Sequence, residues 1–157
     1  MTKTAAHLLS NYYNLTRDQY YRELQVSSQT SSTQNFLAYA AQGLVDGLRE
    51  QIHLVRAQQL SVSWANYINE TMDRFPASQA NSRQRALVSA MPFDKAVARG
   101  DLTTLTPSLA ALYANTGPRT MSRDLNRLSK AGLIVRDGRN WKANTNIMFT
   151  FMSPAAF

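Results

Sequence analysis

The chain has 157 residues, 44% of them hydrophobic, a net charge of +7 and no cysteine. That supply of apolar side chains can build the core of one or two small domains, which excludes a disordered tail, and the lack of cysteine excludes disulfides, a thiol nucleophile and a cysteine-based zinc site. His7 and His53 are too few and too far apart for a metal centre, so no metal and no cofactor is expected; with no apolar run of about 18 residues and no secretory leader, a cytoplasmic protein away from membranes is expected.

Along the first 26 residues, Asn14 or Thr16 is positioned to cap a helix carrying Tyr20, Tyr21 and Leu24, with Asp18 near its positive end. Tyr12, Tyr13, Tyr20 and Tyr21, four of the seven tyrosines, read as core or interface anchors. Residues 27–34 contain no apolar side chain and are expected to form a loop, with Ser32 or Thr33 capping the next helix. From Phe36 to Phe75 no proline interrupts a helical pattern, and such a helix would span about 60 Å. Its apolar face changes along the way: Leu44, Leu48, Ile52 and Val55 make one stripe, whereas Leu60, Trp64, Tyr67, Ile68 and Phe75 cluster on roughly the opposite side. The change falls at Gln58 to Ser61. The first stripe is expected to pack on a preceding body and the second on a C-terminal domain; left uncovered, the first invites a homodimer or another protein partner. His53, on this helix, reads as a solvated or packed residue.

This part of the chain carries a family resemblance. Leu9-Ser10-Asn11-Tyr12, then Arg17-Asp18-Gln19-Tyr20-Tyr21-Arg22-Glu23-Leu24, then Phe36-Leu37 resemble the stretch that follows the catalytic motif of Fic (filamentation induced by cyclic AMP) proteins, over roughly residues 8–60. Fic proteins transfer AMP or other phosphate-bearing groups to protein hydroxyls through a His-Pro-Phe-x-x-Gly-Asn-Gly-Arg motif, whose His is the general base and whose glycine-rich turn and Arg hold phosphates. That motif is absent here, as is the inhibitory Ser/Thr-x-x-x-Glu-Gly/Asn motif of some members. The resemblance therefore implies the C-terminal portion of a Fic protein that is not itself an enzyme, AMPylation belonging to the parent protein.

Phe75-Pro76 ends the long helix and Ser78 can start another; Arg83 to Met91 is expected to be helical, with Ala86, Leu87, Ala90 and Met91 inward, stopped by Pro92. A loop or helical turn is expected over Phe93 to Gly100. Thr106-Pro107 opens a helix over Ser108 to Ala114 with Leu109, Leu112 and Tyr113 apolar, and Asn115-Thr116-Gly117 turns into a further helix, Pro118 to Ala131, ended by Gly132. Two helices joined by a three-residue glycine-containing turn are a helix-turn-helix signature. Strands over 133–136 and 139–143, joined at Asp137-Gly138, make a hairpin or wing. The tail from Thr145 to Met152 fits a third strand or, by the spacing of Ile147, Met148, Phe151 and Met152, a short helix, which is preferred.

On the helix from Pro118, Met121, Leu125 and Leu128 share a stripe that can be buried. Arg119, Arg123, Asn126 and Lys130 share the opposite stripe, flanked by Ser122 and Arg127, and three cations with an amide able to read adenine suit a DNA major groove. Arg136, Arg139 and Lys142 on the wing would sit beside that helix, where phosphates or a minor groove would pass. Charge agrees: residues 1–80 hold six cations and six anions, whereas residues 81–157 hold eleven cations and four anions, so the whole excess lies in the second half. Arg119-Thr120, Arg123-Asp124-Leu125, Leu128 and Gly132-Leu133-Ile134 resemble the recognition helix and its exit in winged helix-turn-helix domains of bacterial regulators, over Leu109 to Lys142.

The expected fold is mainly α: a helical Fic-type C-terminal segment over residues 1–60, a connecting part of the long helix over 61–76, and a winged helix-turn-helix domain with a small β-hairpin over 77–157. Phosphates would be met by Arg119, Arg127, Lys130, Arg139 and Lys142, and base edges by Ser122, Arg123 and Asn126. The winged helix would then bind DNA and direct the parent transferase; the alternative is a docking or dimerisation module that positions partner or substrate proteins.

Overall fold

A computed structural model describes residues 3–151. The chain is mainly helical, with one small three-stranded antiparallel sheet near its C-terminal end, and it divides into two compact units, Met1–Gln58 and Gln59–Phe157. The division falls within the uninterrupted helix α3 (Gln34–Asp73), so the long helix expected over residues 36–75 is present.

The first unit consists of α1 (Lys3–Leu15), α2 (Arg17–Thr30) and the N-terminal part of α3. Thr16 joins α1 to α2 and keeps the helical hydrogen-bond ladder going on both sides, its N–H donating to Tyr12 at 2.9 Å and its carbonyl accepting from Tyr20 at 2.9 Å. Its hydroxyl donates to the Tyr12 carbonyl at 2.8 Å and accepts from the Tyr39 hydroxyl at 2.5 Å, so Thr16 precedes α2 without capping it by side chain. The expected loop over residues 27–34 is shorter than foreseen. Helix α2 runs through Thr30, and only Ser31 to Thr33 leave the helix, with Ser31 left-handed at φ 50°. The polar run stays helical because it is a solvated helix end, and Thr30 anchors its hydroxyl to the Val26 carbonyl one turn back at 2.8 Å.

Aromatic rings hold this unit together. Tyr13 lies 4.9 Å from Tyr20 and 5.8 Å from Tyr39, and Tyr12 lies 5.0 Å from Tyr39, centroid to centroid. The side of α3 that meets α1 carries glycines: the Tyr12 ring occupies the place a side chain at Gly43 would take, and Leu8 packs at Gly47. The stripe of Leu48, Ile52 and Val55 is therefore on another side of α3, exposed.

The second unit owns the core. Trp64 and Ile68 of α3 are buried in it, and Leu60, Tyr67 and Phe75 pack against it, as the second apolar stripe requires. Asn81 closes the end of α3 by donating from its amide to the carbonyls of Met72 at 3.1 Å and of Phe75 and Pro76 at 3.3 Å. Ser78 caps α4 (Gln79–Ala90) by accepting from the Asn81 N–H at 3.1 Å. That cap explains why α4 starts at Gln79 and not at Arg83.

The segment expected as a loop or turn over residues 93–100 contains strand β1 (Val97–Ala98). A two-residue strand has no alternation to betray it; its place is set by pairing with β3. After a 3₁₀ turn (Leu102–Thr104), Thr106 caps α5 (Pro107–Tyr113), accepting from the Leu109 N–H at 3.1 Å. Then come α6 (Pro118–Lys130), β2 (Ile134–Asp137), β3 (Asn140–Ala143) and α7 (Asn146–Phe151), the last being the short helix preferred for the tail; Met152 lies outside the described residues. The sheet order is β1-β3-β2, antiparallel throughout. The hairpin turn sits one residue later than foreseen: Asp137 pairs with Asn140, leaving Gly138, at φ 58°, and Arg139 as the turn.

Candidate nucleic-acid interface

Helix α6 is specified at both ends. Pro118 occupies its first turn after Gly117, where a missing N–H costs nothing. At the other end Gly132 takes the left-handed conformation at φ 73°, its N–H donating to Ser129 at 3.0 Å while the Leu133 N–H reaches back to Leu128 at 3.0 Å. This paired closure, with Leu128 and Leu133 both buried behind it, fixes where the helix stops. Arg127 and Lys130 stand in the last turn, where the helix dipole favours cations.

One side of α6 is buried through Met121, Asp124, Leu125 and Leu128; Arg119, Arg123, Asn126 and Lys130 are exposed. The two flanking residues are engaged elsewhere. The Arg127 guanidinium stacks 4.4 Å from the centroid of the Phe75 ring, and Ser122, half-buried, accepts from Arg99 at 2.7 Å. Arg99, which also donates to the Pro118 carbonyl at 3.0 Å, brings an additional exposed cation to the first turns of α6. No periodicity marks Arg99 in the sequence; it arrives there because β1 pairs with β3.

Asp124 is the other residue that pattern reading passes over, although it lies about 60° from the apolar stripe on the helical wheel. Its buried carboxylate accepts from Arg83 Nε at 2.8 Å and Nη2 at 3.2 Å, from the Gln84 amide at 2.6 Å and from the Tyr113 hydroxyl at 2.9 Å. These bonds tie α6 to α4 and to the end of α5. A buried charge held by four donors is fully compensated, whereas its partners alone would not be. Burial, reinforced by the hydrogen bond to Asp124, pushes the Tyr113 phenol well above its usual range. The guanidinium of Arg83 also lies over the Tyr113 ring at 5.3 Å.

On the hairpin, Ile134 pairs with Ala143 and Arg136 with Trp141, while Val135 pairs with Lys142. Because side chains alternate along a strand, Arg136 and Trp141 share the sheet face of the buried Ile134 and Ala143, and Lys142 lies on the opposite face. Arg136 stacks on Trp141 at 5.9 Å and Arg139 stands exposed in the turn. The wing cations are thus split: Arg136 on one face, Lys142 on the other, Arg139 at the tip. Among the described residues no cluster of three or more His, Asp or Glu side chains is placed to hold a metal ion.

No known protein family, curated protein or solved structure matches this chain at a significant level.

Proposed function

We propose that the second unit is a winged helix-turn-helix module that binds duplex DNA, with α6 as its recognition helix and the β2–β3 hairpin as its wing. The observation that carries this reading is the division of α6 into a fully engaged inner side and an exposed row of Arg119, Arg123, Asn126 and Lys130. Arg123 and Asn126 suit base edges, an arginine fork for guanine and an amide for adenine. Arg119, Lys130, Arg139 and Arg99 suit phosphates, with Arg127 and Lys142 as outlying cations and Ser122 oriented by Arg99. The resemblance of residues 8–60 to the Fic segment adds that such a module would direct an AMP transferase of which this chain is a part.

Fluorescence anisotropy with labelled duplex DNA tests the reading. If about five phosphates are neutralised, affinity falls with a logarithmic salt slope of about −4.5, a loss of several hundredfold between about 50 and 200 mM salt. Lys130→Ala weakens binding to every sequence alike, whereas Asn126→Ala costs about 1–3 kcal/mol at the preferred sequence only. Absence of binding at the lower salt concentration refutes the proposal.

A further inference from the structure

We infer that the exposed stripe of α3 in the first unit is a self-association surface, taken by the same stripe of a second copy lying parallel to it. Leu37 is 61% exposed, Val45 41%, Leu48 45%, Ile52 48% and Val55 51%. At 100° per residue these five and Ala41 fall within an arc of about 80°, with the half-buried Leu44 about 20° beyond its edge. Ala41, Leu48 and Val55 recur every seven residues, as do Leu37 and Leu44, and Val45 and Ile52, which is the spacing at which two helices keep one seam in contact.

The area suits a second copy. Five large apolar side chains, each about half exposed, offer on the order of 400 Å², the size of the largest apolar patch on a monomer, which is often an interaction surface. The stripe from Leu37 to Val55 is about 27 Å of continuous helix. Two copies along that length, with Ala41, Leu44, Gln51 and the stems of Arg49 and Arg56 included, reach about 1,200 Å² in total, the lower bound of specific interfaces. The unit also needs a cover: Tyr39 is its one buried apolar residue among those described.

Charge selects the direction. Arg49 and Arg56 line one edge of the stripe and Gln51 and Gln58 the other. An antiparallel pair would set the arginine edge against itself, whereas a parallel pair sets it against glutamines. Asp46 and Glu50 lie away from the stripe, Asp46 being engaged by Gln42 at 2.9 Å and by Arg49 at 3.5 Å.

Sedimentation equilibrium of the whole chain over about 1–200 μM tests this, with half-association expected at roughly micromolar concentrations, as for a small interface. The mass should rise from 17.6 kDa towards twice that value. Leu48→Glu with Ile52→Glu should remain monomeric at 200 μM, with its far-UV circular dichroism and tryptophan fluorescence at that concentration showing the second unit intact. A wild-type monomer at every concentration, or a double variant that associates like the wild type, overturns the inference. The chain has no cysteine, so Leu37→Cys reports direction: a disulfide-linked dimer under mild oxidation is expected of parallel helices, and an associated but uncrosslinked variant overturns the parallel arrangement. Neither readout involves DNA, so its outcome is separable from that of the DNA-binding proposal.

Discussion

The two units of this chain solve the burial problem differently. Of the eighteen buried apolar residues among those described, seventeen form one cluster in Gln59–Phe157, while Tyr39 stands alone in Met1–Gln58. Among the described residues, exposed large apolar side chains run the other way: ten of thirteen, from Leu15 to Val55, belong to the first unit. The second unit also ties its elements together through buried polar groups, Asp124 and the Asn81 amide each binding several partners, while Trp64 Nε1, Asn81 Oδ1 and Gln84 Oε1 are buried without one. The first relies on tilted and stacked aromatic rings and on a hydroxyl relay through Thr16. Helix content and independent stability are therefore separate properties. Three helices form, but with Tyr39 the one buried apolar residue among those described and the rest of the aromatic cluster half-buried, the first unit has less burial than the second to set against its ordering entropy.

Both tryptophans, Trp64 and Trp141, lie in the second unit, so their fluorescence reports on that unit alone. In a urea titration of dilute protein, ellipticity at 222 nm should begin to fall well before tryptophan fluorescence changes, because the first unit melts separately. Coincident transitions would show one cooperative body and end the contrast. This is the largest effect expected. Next is Asp124→Ala, which strands the partly buried Arg83 cation, Gln84 and Tyr113 together and should cost about 3–5 kcal/mol in the fluorescence-detected transition. The early loss of ellipticity should stay where it was.

How much of this was legible in the sequence depends on whether the signal was local. Caps and stops were: Ser78, Thr106, Pro118 and Gly132 mark helix ends by chemistry that needs only neighbouring residues, and all four act as such. The inner and outer sides of α6 were also legible, because thirteen residues give periodicity room to show. β1 was not, being two residues whose existence depends on β3 more than forty positions later. For the same reason Arg99 was invisible as a neighbour of Ser122. Asp124 was readable by angle but not by type, since a carboxylate on the inner side of a helix makes sense only once Arg83, Gln84 and Tyr113 are seen to converge on it. The polar run at residues 27–30 misled in the opposite direction: lack of apolar residues signals exposure, and exposure is compatible with helix.

A smaller effect sharpens the contrast from the side of the first unit. Gly43→Ala puts a methyl group where the Tyr12 ring lies, and overpacking of this kind costs about 1–3 kcal/mol. The alanine also favours an isolated helix by about 1 kcal/mol, which offsets part of the cost. The expected result is an earlier loss of ellipticity with an unchanged fluorescence midpoint. A shift of the fluorescence midpoint as large as that of the ellipticity would mean that α3 transmits packing from one unit to the other.

The smallest effect lies at high pH and isolates a single group. Tyr113 has its phenol raised by burial first and by the hydrogen bond to Asp124 second. A raised folded-state value means that the unfolded chain loses this proton first as pH climbs, so the stability linked to Tyr113 is fully present below pH about 10 and is lost above it, at up to ~1.4 kcal/mol per pH unit. Tyr113→Phe removes that dependence together with one hydrogen bond, a cost of about 1 kcal/mol at pH 8. The wild type should therefore lead the variant by that amount at pH 8, and the gap should close near pH 11 in the fluorescence-detected transition. Tyr12 and Tyr13 are also raised by burial, but they belong to the first unit and should leave that transition untouched. A gap that persisted at pH 11 would mean that the folded state does not hold the Tyr113 proton more tightly than the unfolded chain does, and that burial and the bond to Asp124 do not set this phenol apart.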